Sequence, residues 1–133
     1  MPWIRLIFAI LAGGIVASMT DWLFMGDWLY KQFDRHPEIW RVSGRNEATA
    51  IAWASPLPFL TCACFAFTCW WLQFHSFRTT MLFALSVWIM AVLPLMIANA
   101  LFIKISTPIA VAHASGWLVK LIIAAAAVAL IVR

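Results

Sequence analysis

The chain has 133 residues, of which 65% are hydrophobic and 11% are charged, with a formal net charge of +4. A soluble domain carries roughly 25% charged residues, so this composition argues against a soluble monomer, and equally against a disordered, collagen-like or disulfide-rich protein. The nine lysines and arginines are spread along the chain without a basic face, which argues against nucleic acid as a partner.

Four apolar segments are each long enough, at about 1.5 Å per residue, to cross a hydrocarbon layer of about 30 Å. We predict a transmembrane helix from each: residues 6–26, 48–72, 81–103 and 109–132. The segments lack the strict alternation of barrel strands. Thr79 or Thr80 is expected to cap the third helix, and Ser106, with Pro108 in the first turn, the fourth.

Residues 27–47, between the first two helices, hold four of the five acidic residues interleaved with apolar ones. This mixture suits a helical segment lying at the membrane interface, which Pro37 is expected to break into two short helices. The other two connections are so short that consecutive helices must be antiparallel neighbours. The predicted fold is therefore all-α: one polytopic membrane domain over residues 1–133, a four-transmembrane-helix up-down bundle with an interfacial segment.

The ends of the predicted spans carry tryptophans and basic residues, as the ends of membrane helices do. Five of the nine tryptophans lie at or near those ends: Trp3, Trp28, Trp40, Trp70 and Trp71. Five Lys or Arg residues lie on the side of loops 27–47 and 104–108, against three on the other side. The excess of positive charge predicts that loops 27–47 and 104–108 are cytoplasmic.

Three ionisable residues lie inside the predicted spans: Asp21, His113 and Lys120. Counting along antiparallel helices places Asp21 and His113 at one level. Lys120 lies deeper, but helical side chains lean toward the N-terminus of their helix, which brings Lys120 and Asp21 toward each other. We therefore predict a contact between the first and fourth helices around these three residues.

Further polar or aromatic side chains are expected in the same layer. Asn99 on the third helix and Trp53 with Ser55 on the second reach about this level, and Trp117 shares a face with His113 and Lys120. The cluster is either an ion pair that only fixes helix register, or a site that binds the polar head of a lipophilic ligand or moves a proton. A third possibility is that Lys120 faces another protomer or a pore.

No metal and no cofactor are predicted. Candidate metal ligands lack the spacing of three or four residues that a helical metal motif uses: His36, His113, Asp21 and Asp27. The histidines also fail to supply a convincing facing pair for a haem. The three cysteines lie in one apolar run without CxxC spacing, and this is typical of apolar packing rather than redox chemistry.

Prolines interrupt the second and third predicted helices at Pro56, Pro58 and Pro94. Each proline removes one backbone hydrogen bond, so kinks are expected there. Small residues recur four apart at Gly14 and Ser18, and at Ala112 and Gly116. This pattern is typical of close helix contacts, including those between protomers.

The stretch from Thr20 to Gly26, followed by His36 to Arg41, resembles a bacterial family of small four-helix integral membrane proteins that is catalogued as a domain of unknown function. The resemblance covers the N-terminal third and the four-helix layout. It implies a protein of the bacterial inner membrane, and it carries over no catalytic residue.

Three classes of function follow. The small size and the small-residue pattern favour an accessory or oligomer-forming membrane subunit, whose partners are the bilayer and either further copies or a larger complex. The alternative is an enzyme or binder of a lipophilic small molecule, with Asp21 and His113 as acid and base. The last is a proton-coupled transporter or proton path, which at four helices would require an oligomer.

Overall fold

In the computed structural model, which describes residues 2–28, 31 and 45–132, the regular structure is entirely helical. Four stretches are long and apolar enough to cross a bilayer: Trp3–Trp28, Ala48–Trp71, Phe77–Phe102 and Thr107–Ile131. We refer to them as the first, second, third and fourth long helices. The prediction of an all-α chain with four such helices is confirmed. Most of the expected interfacial segment, with its break at Pro37, lies outside the described residues.

The first long helix changes its winding near its end. It consists of α1, Pro2–Asp21, followed directly by a π-helical segment, Trp22–Trp28. One face of α1 is buried and carries small side chains, with Ala9 and Ala17 almost completely covered. Because small side chains let backbones approach closely, this face packs tightly against the other helices.

Proline divides the second long helix, as its sequence predicts. α2, Arg45–Ala54, ends at a turn over Ser55 and Pro56, and α3, Leu57–Trp71, continues from there. Pro58 lies in the first turn of α3, where a missing N–H leaves no helical hydrogen bond unmade.

The end of α3 is fixed by a left-handed residue, Gln73, with φ of 58°. The N–H of Phe74 donates to the carbonyl of Cys69 at 2.8 Å, and the N–H of Gln73 donates to that of Trp70 at 3.2 Å. These two bonds form a Schellman motif, in which glycine is the usual left-handed residue. A glutamine there carries a conformational cost that glycine would avoid.

The third long helix consists of α4, Phe77–Val87, a π-helical segment, Trp88–Val92, and α5, Leu93–Phe102. The N–H of Leu93 bonds to the carbonyl of Trp88, a five-residue step. This wider turn directly precedes Pro94, whose ring would otherwise clash with the preceding turn. The interruption expected at Pro94 is therefore present.

The expected cap of the third helix is wrong. Ser76 is the capping residue, and its hydroxyl accepts a hydrogen bond from the N–H of Thr79 at 3.1 Å. Thr79 and Thr80 instead lie inside the first turn, with Thr80 fully buried. The helix begins at Phe77, so its first turn precedes the apolar run from which the prediction was made.

The fourth long helix is α6, Thr107–Ile131, and it occupies the centre of the bundle. Ser106 occupies the N-cap position and Pro108 lies in the first turn, as predicted, but the Ser106 hydroxyl makes no capping hydrogen bond. α6 packs against helices of all three other long stretches. In its most apolar 18-residue window 39% of residues are buried, against 6% in the third long helix, which is therefore the most peripheral of the four.

An aromatic contact at one end of the bundle agrees with an antiparallel order of the first two long helices. The ring of Trp3, at the start of α1, lies 4.9 Å from that of Trp70, at the end of α3. The N-terminus of the first long helix and the C-terminal end of the second therefore lie at the same end of the bundle. The Asp21 end of α1 points to the other.

The small residues of α1 serve contacts within the chain. A Cβ atom at Gly14 would lie 2.3 Å from a ring carbon of Phe59, and one at Gly13 would lie 3.2 Å from the Cβ of Ala127. Only glycine at position 14 lets α1 approach α3 this closely. This small-residue motif is therefore occupied by packing inside the bundle.

Candidate functional site

The predicted contact between the first and fourth helices is present as an ion pair. Lys120 Nζ lies 2.6 Å from Asp21 Oδ2. The Lys120 side chain is 5% exposed and that of Asp21 is 21% exposed, so both charges are largely removed from water. Lys120 requires an opposite charge beside it, because an unpaired ammonium group inside the bundle would be strongly destabilising.

Helix positions explain how the pair forms. Lys120 lies near the middle of α6, with thirteen helical residues before it and eleven after it. Asp21 is the last residue of α1, beside the inward face that includes the fully buried Ala17. Since each side chain leans toward the N-terminus of its own helix, the two lean toward each other.

Trp117 covers the ammonium group from within α6. Lys120 Nζ lies 4.3 Å from the centroid of the Trp117 ring, one helical turn away. A cation above an indole face is attracted by the electron-rich ring, and the attraction is strongest where water is excluded. Lys120 therefore has two neighbours that compensate its charge.

The second oxygen of Asp21 is in a different position. Oδ1 is buried and has no hydrogen-bond partner within the described part of the chain. An ionised carboxylate accepts several hydrogen bonds through its two oxygens. Half of the carboxylate is thus bound to Lys120, and the other half is buried without a donor.

His113 and Cys62 lie inside the bundle, on the helices that pack against α1. His113 is half-buried on α6, two helical turns before Lys120. Cys62 is 1% exposed on α3, and its Sγ lies 3.4 Å from where a Cβ atom at Gly13 would be.

The remaining predicted members are not brought to the pair. Trp53 is 77% exposed, and the exposed Ser55 donates its hydroxyl to the carbonyl of Ile51 at 2.7 Å. Asn99 is half-buried on α5 and forms no side-chain hydrogen bond with any described residue. Short distances thus join three of the seven predicted residues: Asp21, Trp117 and Lys120.

Another tryptophan ties the third and fourth long helices together. The indole N–H of Trp88 donates to the carbonyl oxygen of Ala114 at 2.8 Å. Trp88 is the first residue of the π-helical segment, and Ala114 lies next to His113. This hydrogen bond fixes the third long helix against α6 at the point where its winding changes.

The described residues contain no group of three or more His, Cys, Asp or Glu side chains that could hold a metal ion. His36, a candidate ligand in the sequence, lies outside the described residues.

Comparison with protein-family models, with curated proteins and with solved structures finds no match for this chain. What the site can do is therefore inferred from its own residues. The Asp21–Lys120 pair is electrically neutral as a whole, so its surroundings need no further charge. The site can form further hydrogen bonds through Asp21 Oδ1, which accepts, and through the remaining N–H groups of Lys120, which donate.

An open apolar cleft of about 380 Å³ lies on the outer surface of the first long helix, lined by Ser18, Met19, Trp22 and Leu23 but not by Asp21. Its one polar side chain, Ser18, already donates its hydroxyl to the carbonyl of Gly14 at 2.8 Å. The cleft therefore offers apolar contacts, and Asp21, whose Oδ1 is buried without a partner among the described residues, lies next to Trp22 along the chain.

Proposed function

We propose that the protein is a multi-pass integral membrane protein that acts as an accessory or oligomer-forming subunit, with Asp21 and Lys120 joining its first and last helices. The observation that carries this proposal is the closed pair, with Lys120 Nζ 2.6 Å from Asp21 Oδ2. A charge pair used in this way fixes helix register. It leaves the outer faces of the bundle as the surfaces through which such a subunit would act.

The large apolar side chains on those outer faces support the membrane location. On the third long helix they include Leu95 at 57%, Ile97 at 52% and Leu101 at 73% exposure. Soluble monomers rarely expose large continuous apolar surfaces, whereas lipid chains and partner helices cover them. The bacterial inner membrane, with loops 27–47 and 104–108 in the cytoplasm, is the location we propose from the resemblance and the charge distribution.

The third long helix is the surface we propose for the partner. The Gly14 motif is occupied by Phe59 inside the bundle, so it does not supply an interface between subunits. The third long helix is the least buried of the four. A partner there, a further copy or another membrane protein, would cover the least buried of the four long helices.

Site-specific photocrosslinking in intact membranes tests this proposal. A photoreactive residue replaces Leu95 or Leu101 on the third long helix, or, as matched controls, Phe8 or Ile15, which are 61% and 55% exposed on the first. We expect discrete protein adducts from the third long helix and only lipid adducts from the control positions. A mass of twice 15.0 kDa identifies a second copy, and any other discrete mass identifies a different subunit.

The proposal fails if neither set of positions gives a protein adduct and the chain is extracted in native lipid as a monomer. It also fails if both sets crosslink equally to many proteins, because that result reports random collision in the membrane.

A further inference from the structure

The ion pair does not use every hydrogen-bonding group of its two residues: donors on Lys120 Nζ and the acceptor Asp21 Oδ1 remain. A lysine ammonium has three N–H donors. One of them reaches Asp21 Oδ2, and the Trp117 ring covers another side of the group. On the acceptor side, Asp21 Oδ1 is buried without a partner within the described residues. Polar groups left unpaired in apolar surroundings are costly, so such a pair favours a ligand that satisfies both.

The ligand group must donate one hydrogen bond and accept another. It donates to Asp21 Oδ1 and accepts from Lys120 Nζ, and because both atoms flank Oδ2, one oxygen at about 2.8 Å from each can do both. An ammonium ion only donates, and Lys120 would repel it. A carbonyl only accepts, so it leaves Oδ1 unpaired. A carboxylate brings a charge that the neutral pair does not compensate.

A hydroxyl group is the group that meets these requirements, since it is both donor and acceptor and carries no charge. Its carbon chain has an apolar place beside it. Met19, Trp22 and Leu23, which flank Asp21 along the chain, line the cleft of about 380 Å³. Oδ1 is itself buried, so the hydroxyl reaches it only when the Asp21 side chain, which is 21% exposed, turns toward the cleft.

We propose that Asp21 Oδ1 and Lys120 Nζ bind one hydroxyl group. Its sources are water or a lipophilic alcohol whose chain lies in the cleft. The site is distinct from the partner surface on the third long helix. The site uses Asp21 Oδ1, which is the carboxylate oxygen outside the ion pair. Binding makes and breaks no covalent bond.

A series of twelve-carbon probes on the wild-type protein tests the group that is recognised. Dodecanol, dodecyl methyl ether and a twelve-carbon ketone are added to the protein in lipid nanodiscs, and thermal unfolding is followed by tryptophan fluorescence. The three probes partition similarly into lipid, but only the alcohol can donate. At tenfold above its dissociation constant, dodecanol is expected to raise the unfolding midpoint by about 4 °C. The ether and the ketone should raise it by less than half as much.

Asp21→Asn is the matched variant, because it keeps one oxygen for Lys120 and replaces the other by an NH₂ donor. We expect the alcohol-specific rise to disappear in this variant. Asp27→Asn is the control, since Asp27 lies in an exposed pair with Lys31 at 2.9 Å, and it should keep the full rise. If Asp21→Asn does not fold, the alcohol-against-ether comparison on the wild-type protein still decides.

Solid-state NMR distinguishes the two sources, through proton transfer from water to a labelled Asp21 carboxyl carbon. An alcohol-specific rise, with loss of the water signal when dodecanol is added, identifies a lipophilic alcohol. A persistent water signal without an alcohol-specific rise identifies water as the occupant. Equal effects of alcohol and ether, with no water signal at Asp21, would overturn the proposal.

Discussion

Removing either partner of the Asp21–Lys120 pair should destabilise the bundle, and removing both should cost much less than the sum. In Asp21→Asn, an ammonium that is 5% exposed loses its counter-charge. Removal of one partner from a buried pair costs about 3–5 kcal/mol. In Lys120→Met the carboxylate that remains is 21% exposed and closer to water, so we expect a smaller loss, about 2–3 kcal/mol.

The double variant Asp21→Asn/Lys120→Met buries no charge, so its loss is expected to be about 1 kcal/mol. The two single losses together exceed the double loss by about 4–7 kcal/mol, and this coupling energy between the two positions is far above that of independent sites. Reversible unfolding in bicelles, measured by steric trapping, gives the free energy of unfolding for all four proteins of the cycle.

Asp27→Asn is the control for the loss of a carboxylate from the same long helix. Its pair with Lys31 has side chains 55% and 70% exposed, and water screens such a pair. We expect a change below about 1 kcal/mol. The role assigned to Asp21 and Lys120 would be refuted if the two single losses summed to the double loss within about 0.5 kcal/mol, or if Asp27→Asn cost as much as Asp21→Asn.

Three further substitutions test packing and local geometry through the thermal unfolding midpoint. Gly14→Ala places a Cβ atom 2.3 Å from a ring carbon of Phe59, and the overpacking should lower the free energy of unfolding by about 1–2 kcal/mol even after the gain in helix propensity. Trp88→Phe keeps a ring but removes the indole donor to the Ala114 carbonyl, with an expected loss of about 0.5–1.5 kcal/mol. Gln73→Gly relieves a left-handed backbone with φ of 58° and should stabilise by up to about 1 kcal/mol.

Two comparisons identify the cause of the packing effect at Gly14 and of the backbone effect at Gln73. Gly13→Ala brings its Cβ only to 3.2 Å from that of Ala127, so it should cost clearly less than the change at Gly14. Equal losses would mean that the Phe59 ring is not the cause. A loss in Gln73→Gly would mean that the side-chain hydrogen bond from Gln73 Nε2 to the Trp70 carbonyl, 2.9 Å long, outweighs the backbone strain.

The sequence predicted the contact between Asp21 and Lys120, but it did not predict correctly which other side chains surround that contact. Asp21 and Lys120 could be paired because rise per residue and side-chain lean follow from helix geometry alone. Trp53 and Ser55 were expected in the same layer, but Trp53 is 77% exposed. The regular helix is interrupted at the turn over Ser55 and Pro56, so a face counted along α3 cannot be extended onto α2 by helix geometry alone.

Local features that depend on backbone details were harder to predict. The Ser76 cap could have been found, since serine precedes the helix and its hydroxyl reaches the N–H of Thr79 as capping rules describe. The prediction of Thr79 or Thr80 is wrong because the continuous apolar run begins only at Met81, after the first turn of the helix. The π-helical segment before Pro94 has no comparable signal, since a kink, a turn and a widened turn all accommodate proline.

The position of the ion pair connects packing to the proposed roles of the chain. A lysine in the middle of the central helix is tolerated only where a counter-charge reaches it, and Asp21 reaches it because α1 presents small residues such as Ala17 on its inner face. In the same structure Oδ1 is buried without a donor among the described residues. One carboxylate thus accounts for two separate proposals. Its bond to Lys120 holds the bundle that presents the third long helix to a partner, and its other oxygen selects a hydroxyl group.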